Sequence, residues 1–203
     1  MIVRRHFLIG FAAIFAIFGT VPARAAAQPN AGAFIQNLGD MAIHTLTSST
    51  LTDKQRETAF RRLFLANFDV PGISRFVLGR FWRQATPAQR AEYQKLFAEY
   101  IVKTYSINLT HYSQESIRVS GMQPETGDTI VMSTIQQPNG HPVKVNWRVR
   151  GTPGHYRITD VVVDGVSMAI TQRQEFASVI EGGGGNVGTL IAQLRQKVRQ
   201  LSQ

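Results

Sequence analysis

Residues 143–150, Val-Lys-Val-Asn-Trp-Arg-Val-Arg, alternate apolar and polar without a break. Successive side chains of a strand project to opposite faces. Val143, Val145, Trp147 and Val149 therefore point one way, and Lys144, Asn146, Arg148 and Arg150 the other. One buried face and one wet face is the pattern of an antiparallel sheet covered on one side. Gly151-Thr152-Pro153-Gly154 turns the chain into a second run, residues 155–163. There Tyr156, Ile158 and Val162 share one period-2 face, and Val161 and Val163 the other. A change of face near Thr159–Asp160 is how a β-bulge reads in sequence, one extra residue re-aiming those that follow. Asp164-Gly165 is a turn signal. Ser167 then caps a helix whose apolar positions include Ile170, Phe176, Val179 and Ile180, so this strand is expected to turn directly into a helix.

Upstream the period is helical. Residues 31–49 place Phe34, Leu38, Met41, Ala42 and Thr45 at helical spacing. Thr52-Asp53-Lys54-Gln55 is a capping box that starts a second helix. Ala59, Phe60, Leu63 and Phe64 form its stripe, opposite Lys54, Arg61 and Arg62. That helix is expected to stop near Asp69, broken by Pro71-Gly72, and a short helix over 72–80 groups Ile73, Phe76 and Val77. Thr86-Pro87-Ala88-Gln89 is the clearest helix start, with Thr at the cap and Pro at the first position. Tyr93, Phe97, Tyr100, Ile101, Tyr105, Leu109 and Tyr112 then line one face of a helix over 87–112, about 39 Å long at 1.5 Å per residue. Ser116–Val119 and Asp128–Gln136 read as further strands, with Pro138-Asn139-Gly140 as a hairpin turn. Gly182–Gly185 precedes a terminal helix, Val187–Gln200. Helices, then a four-strand meander, then helices indicate an α+β fold.

The N-terminus reads as a targeting segment. Arg4-Arg5-His6 is a basic n-region, and Phe7 to Phe18 is apolar apart from Gly10. That run is too short for a comfortable membrane span, and Ala23-Arg24-Ala25 fits a cleavage site. Residues 1–25 are therefore expected to be removed, leaving 26–203 as one domain. The paired arginines also resemble a twin-arginine export signal. Cleavage removes Arg4, Arg5 and Arg24, so the 22 Lys+Arg become 19 against 13 Asp+Glu, a net charge of +6. Such an excess could favour anionic head groups or an acidic partner, although for charge alone a solvated, mildly basic surface is the better account. The chain has no cysteine, which excludes a disulfide framework, a thiol metal site and a lipid-modified Cys anchor.

Three blocks carry a family resemblance. The first is Tyr156-Arg157-Ile158-Thr159-Asp160-Val161-Val162-Val163-Asp164-Gly165-Val166-Ser167-Met168, followed by Gln172-Arg173-Gln174-Glu175-Phe176. The second is Phe68-Asp69 with Ile73-Ser74-Arg75-Phe76-Val77-Leu78-Gly79-Arg80-Phe81-Trp82-Arg83. The third is Gly188-Thr189-Leu190-Ile191-Ala192-Gln193-Leu194-Arg195. In this order they resemble the MlaC family of periplasmic phospholipid-binding proteins, also called the toluene-tolerance family. Two positions depart from its pattern: Gln172, where Tyr often stands, and Tyr156, where Trp often stands. The resemblance implies an NTF2-like cone with a curved antiparallel sheet of about four strands, covered by helices around an apolar lipid cavity. It also implies a periplasmic carrier that shuttles phospholipid between an inner-membrane ABC transporter complex with an MCE-domain protein and an outer-membrane lipoprotein–porin complex. Hopanoid-associated relatives share the pattern, so the cargo could be a hopanoid-like lipid.

On that reading the cavity is expected to be lined by Phe76, Val77, Phe81, Phe97, Ile101, Tyr105, Val145, Trp147, Val149, Val161 and Val163. Arg75, Arg80 and Arg83 are candidates for a phosphate head group at the mouth. Such a cavity has room to spare, so Val145→Trp or Ile101→Trp should fold yet exclude cargo. A carrier needs no catalytic constellation, and the sequence has no Gly-x-Ser-x-Gly elbow, no phosphate loop and no His pair at metal spacing. His44, His111, His141 and His155 are scattered. No cofactor, metal or nucleic acid is expected. Asp69 reads as a loop residue and Asp160 as an acceptor at the bulge. Two other classes remain: a small enzyme using Asp160 with Tyr105 or Tyr112, and an adaptor that carries no lipid.

Overall fold

The computed structural model describes residues 30–46, 48, 50–108, 115–137 and 140–202. The expected signal segment, the Pro138-Asn139 turn, and Leu109, His111 and Tyr112 lie outside them. Helices α1 (Ala31–Leu46) and α2 (Asp53–Asn67) come first, then α3 (Val70–Leu78), the single turn α4 (Phe81–Gln84) and the long α5 (Pro87–Asn108). Strands β1 (Ser116–Glu125), β2 (Asp128–Gln136), β3 (Val143–Arg150), β4 (Arg157–Val163) and β5 (Val166–Ser167) follow, then α6 (Met168–Gly182) and α7 (Val187–Gln200). The five strands form one antiparallel sheet in sequential order, a meander, and the fold is α+β.

Local chemistry sets the helix starts. Thr52 and Gln55 make the reciprocal capping box of α2. Thr86 and Gln89 exchange the same pair of bonds at α5, at 2.9 and 3.2 Å. Ser167 Oγ accepts from Ile170 N at the head of α6. α2 stops at Asn67, near Asp69 as expected, but the next helix starts earlier than expected: the Asp69 carboxylate accepts from Gly72 N at 3.0 Å and caps α3, with Pro71 in the first turn. Pro lacks only an N–H that is unpaired there anyway, so the dipeptide that looks like a breaker opens a helix. Gly79, at φ 59°, then separates α3 from α4.

The sheet is larger than expected. β1 continues to Glu125 through a bulge between Val119 and Gly121. Gly121 and Pro124 interrupt the alternation, but β1 is an edge strand, where Pro is tolerated. A fifth strand exists because Asp164 and Gly165, at φ 46° and 86°, make a tight turn that folds Val166 back against Val163. The expected bulge in β4 is present. Arg148 pairs with Asp160 and Val149 with Ile158, leaving Thr159 unopposed. Antiparallel partners share a face, so the extra residue puts Ile158, Val161 and Val163 on the same side as Val149, Trp147 and Val145.

That side of the sheet is covered in two ways. At one end α1 lies on it, and Ala31, Ile35, Ile117, Val131, Val149 and Ile158 pack into a solid cluster. The helices build a second core among themselves, with Phe81, Tyr93, Phe97, Phe176, Ile180 and Leu194 buried. The α2–α3 corner is fastened to the sheet where Asp69 N donates to the Ile158 carbonyl at 2.9 Å. Ile170, expected on the apolar stripe of α6, is half exposed; it lies on the outer side of the helix.

Candidate functional site

Between β3 and β4 on one side and α2, α3, α5 and α6 on the other lies a cavity of about 270 Å³. Its floor is sheet: Trp147, Val161 and Val163. One wall is α5, with Phe97, Ile101 and Tyr105 on successive turns. The adjoining wall is aromatic: Phe60, Phe64 and Phe68 stand one turn apart, with successive ring centroids separated by 6.2 and 5.0 Å. Ile73 and Val77 of α3 and Met168 and Ala169 of α6 complete it. Among the lining residues only Asp160 and Gln172 bring fully polar side chains.

Both polar groups are engaged. Asp160 Oδ1 accepts from Val161 N at 2.8 Å and Ala169 N at 3.1 Å, and Oδ2 accepts from Ser167 Oγ at 2.6 Å. It holds the bulge, the β5 turn and the start of α6 together, which is the acceptor role expected of it. Gln172 donates to Glu175 Oε2 at 2.9 Å. Tyr105 shares the wall, and burial of its ring together with nearby Tyr100 and Glu175 pushes its hydroxyl above the usual phenol range. An acid and a tyrosine thus meet in one cavity, but the carboxylate is committed to three protein donors. Among the described residues no group of acidic and histidine side chains could hold a metal ion, and no helix is long and apolar enough to cross a membrane.

The structure places Val77, Phe97, Ile101, Tyr105, Trp147, Val161 and Val163 on the cavity wall. Four residues expected there are elsewhere. Val149 is sealed under α1 and Phe81 in the helical core. Val145 is on the same face as the floor but outside the lining, buried at 3% exposed. Phe76 is on the outer side of α3, 45% exposed. Arg75, Arg80 and Arg83 do not border the cavity; they line a separate open depression with Phe76, Trp82 and Arg173. The aromatic wall of α2 was missed, although Phe60, Phe64 and Phe68 at i, i+4, i+8 are a readable signal. Met168, Ala169 and Gln172 reach the cavity only because the β5 turn folds α6 back over the sheet.

The comparison that decides the family is sequence-wide. Residues 36–196 match the family model described as MlaC protein. The chain belongs to the MlaC family. Among MlaC relatives it is 28% identical over 130 residues to the intermembrane phospholipid transport system binding protein MlaC of Haemophilus influenzae, covering 61% of this chain and 59% of that protein. It is 24% identical over 135 residues to the toluene tolerance protein ttg2D of Pseudomonas putida, covering 66% and 63%. The match thus spans about three-fifths of the length of these curated relatives. A solved structure, the phospholipid-binding protein of Ralstonia solanacearum in complex with a phospholipid, superposes with a TM-score of 0.75 at 25% identity, over 86% of this chain and all of that one. The departure from the MlaC pattern at Gln172 falls on the cavity wall.

Proposed function

We propose that this chain is a lipid carrier that encloses the acyl chains of a phospholipid in the cavity between sheet and helices. The observation that carries the reading is an apolar hollow where a sheet face and four helices would otherwise close into solid core, in a fold like that of a phospholipid-bound relative. A two-chain lipid has on the order of 30 methylenes, each costing about 0.8 kcal/mol to expose to water. Transfer through water therefore requires an enclosure of this kind, lined by rings and branched chains and with its one carboxylate bonded to protein donors. Phe60, Phe64, Phe68, Ile101, Trp147 and Val163 are the acyl contacts we assign. The signal segment directs the chain to the periplasm. There it exchanges lipid with an inner-membrane MCE-domain ABC transporter complex and an outer-membrane lipoprotein–porin complex.

Native mass spectrometry of the protein purified from its own periplasm, with organic extraction of the same sample, tests this. A stoichiometric phospholipid is the expected result. A protein without lipid would overturn the carrier reading in favour of an adaptor, and a polycyclic lipid would change the cargo to a hopanoid class. Pull-down with the MCE-domain partner, weakening as salt rises, tests the exchange.

A further inference from the structure

Two helices that wall the cavity also present a second surface away from it. On α3, Ile73 and Val77 face the cavity, whereas Arg75 and Phe76 are exposed. On α6, Ala169 and Gln172 face it, whereas Arg173 is exposed. With α4, the outward side chains Arg75, Phe76, Arg80, Trp82, Arg83 and Arg173 border one broad depression. Its charge is one-sided. Of its four arginines, among the described residues, only Arg80 is in an ion pair, with Glu181. The cations are seated on rings: Arg75 lies over Trp82 at 5.9 Å and Arg173 over Phe76 at 5.1 Å. An arginine stacked on an aromatic face keeps its charge and its outward donors available for phosphate.

A third hollow links this surface to the cavity. It shares Gly72 and Phe76 with the basic face, and Ile73, Asp160 and Ala169 with the cavity; half-exposed Ile170 stands on its rim, and Asp69, Asp128, Arg148 and Arg150 line its far side. Basic face and cavity therefore share walls with one intervening hollow, of mixed polar and apolar lining, along the edge between α3 and α6.

We propose that this face docks on an anionic lipid surface, and that docking brings the α3–α6 edge against the bilayer as the route by which lipid enters or leaves the cavity. The proposal rests on the carrier reading. Charge complementarity gives the attraction, since an arginine near an anionic membrane surface is worth a factor of about five in affinity. The rings select lipid over an acidic protein: exposed Phe76 and half-buried Trp82 stand among the arginines, the mixture that suits the boundary between head groups and acyl chains. Because the wall between face and cavity is helix α3 itself, a docked carrier would hold its cavity about one helix diameter, roughly 10–12 Å, from the head groups.

Vesicle co-sedimentation of the purified protein tests this, with phosphatidylcholine alone and with phosphatidylcholine mixed with phosphatidylglycerol, at low and high ionic strength. Binding should require phosphatidylglycerol and weaken as salt rises. Arg75→Glu with Arg83→Glu should reduce it by at least about 25-fold, while Arg75→Lys with Arg83→Lys should retain it. Neither residue borders the cavity, so native mass spectrometry should find the bound lipid unchanged in the reversed variant. Arg75→Gln and Arg83→Gln singly, each expected to lose about fivefold, keep the test open should the double reversal not fold. Binding indifferent to phosphatidylglycerol, or surviving the double reversal, overturns the proposal, also where the reversal abolishes capture of an acidic protein. A wild type that binds anionic vesicles but carries no lipid would uphold the docking face and overturn the carrier reading.

Discussion

The indole nitrogen of Trp147 donates to the hydroxyl of Ser133 at 2.9 Å, and that hydroxyl donates in turn to the Val145 carbonyl at 2.9 Å. Ser133 and Val145 are register partners on adjacent strands, so a buried serine ties down the polar end of the large ring, which lines the cavity. An aromatic ring with its polar end satisfied by the protein presents only hydrocarbon to the cavity.

Trp147→Phe keeps the apolar floor and removes the donor. A loss of about 1 kcal/mol in stability is expected, with bound lipid retained; urea unfolding and native mass spectrometry check both. The chain has two tryptophans, and Trp82 is outside the cavity. In a Trp82→Phe background, fluorescence should therefore shift when lipid is stripped, and an unchanged spectrum would place cargo elsewhere.

Ile101 and Val145 should now part company. Ile101 borders the cavity, so Ile101→Trp has space to occupy and should fold while co-purifying with markedly less lipid. Val145 is buried and does not border the cavity, so Val145→Trp overpacks and should cost about 1–3 kcal/mol. Thermal melts of the two variants beside their lipid content decide the matter; equal destabilisation would mean that the space beside Ile101 is filled by protein.

Asp160→Asn replaces one carboxylate oxygen with a donor facing groups that already donate. Val161 N, Ala169 N and Ser167 Oγ all point at it. A loss of about 1–3 kcal/mol is expected, with the first turn of α6 exchanging amide hydrogen faster, and bound lipid unchanged in the folded fraction. A stable variant that has lost a measurable activity on its cargo would instead revive an enzymatic reading.

Tyr93 gives a pH dependence. Its ring is fully buried, its hydroxyl donates to the Ser74 carbonyl at 3.0 Å, and burial pushes its pKa well above the ordinary phenol value. Below pH of about 10 both folded and unfolded chains hold the neutral phenol, and the group's contribution is complete. Above it the unfolded chain ionises first, so stability falls as pH rises toward the folded value. Tyr93→Phe should cost about 1 kcal/mol at neutral pH and flatten the alkaline slope, which unfolding midpoints on both sides of pH ~10 would reveal.

Where local chemistry decided the structure, it could be read. The caps at Thr52, Thr86 and Ser167, the clean strand β3 and the bulge at Thr159 depend on residues within a few positions of one another, and each formed where the pattern placed it. Pro71 misled because a proline reads alike at a break and in a first helical turn; only the Asp69 carboxylate on Gly72 N distinguishes them. β1 was cut short because Gly121 and Pro124 suit an edge strand, and nothing local says which strand is the edge.

The sequence by itself determined which faces had to be covered. Alternation puts Val145, Trp147 and Val149 on one side of β3, and the bulge in β4 carries Val161 and Val163 to that side. It could not determine what covers them, because packed core and lined cavity demand the same apolar residues. Tertiary structure decided that: Val149 is buried in one cluster with α1, while α2 and α5, packed on each other, leave space beside Trp147. It also decided the fate of the arginines. α3 gives Ile73 and Val77 to the cavity and turns Arg75 outward, because a helix buries one stripe and solvates the rest. Which stripe is buried is set by the distant strand to which Asp69 N is bonded.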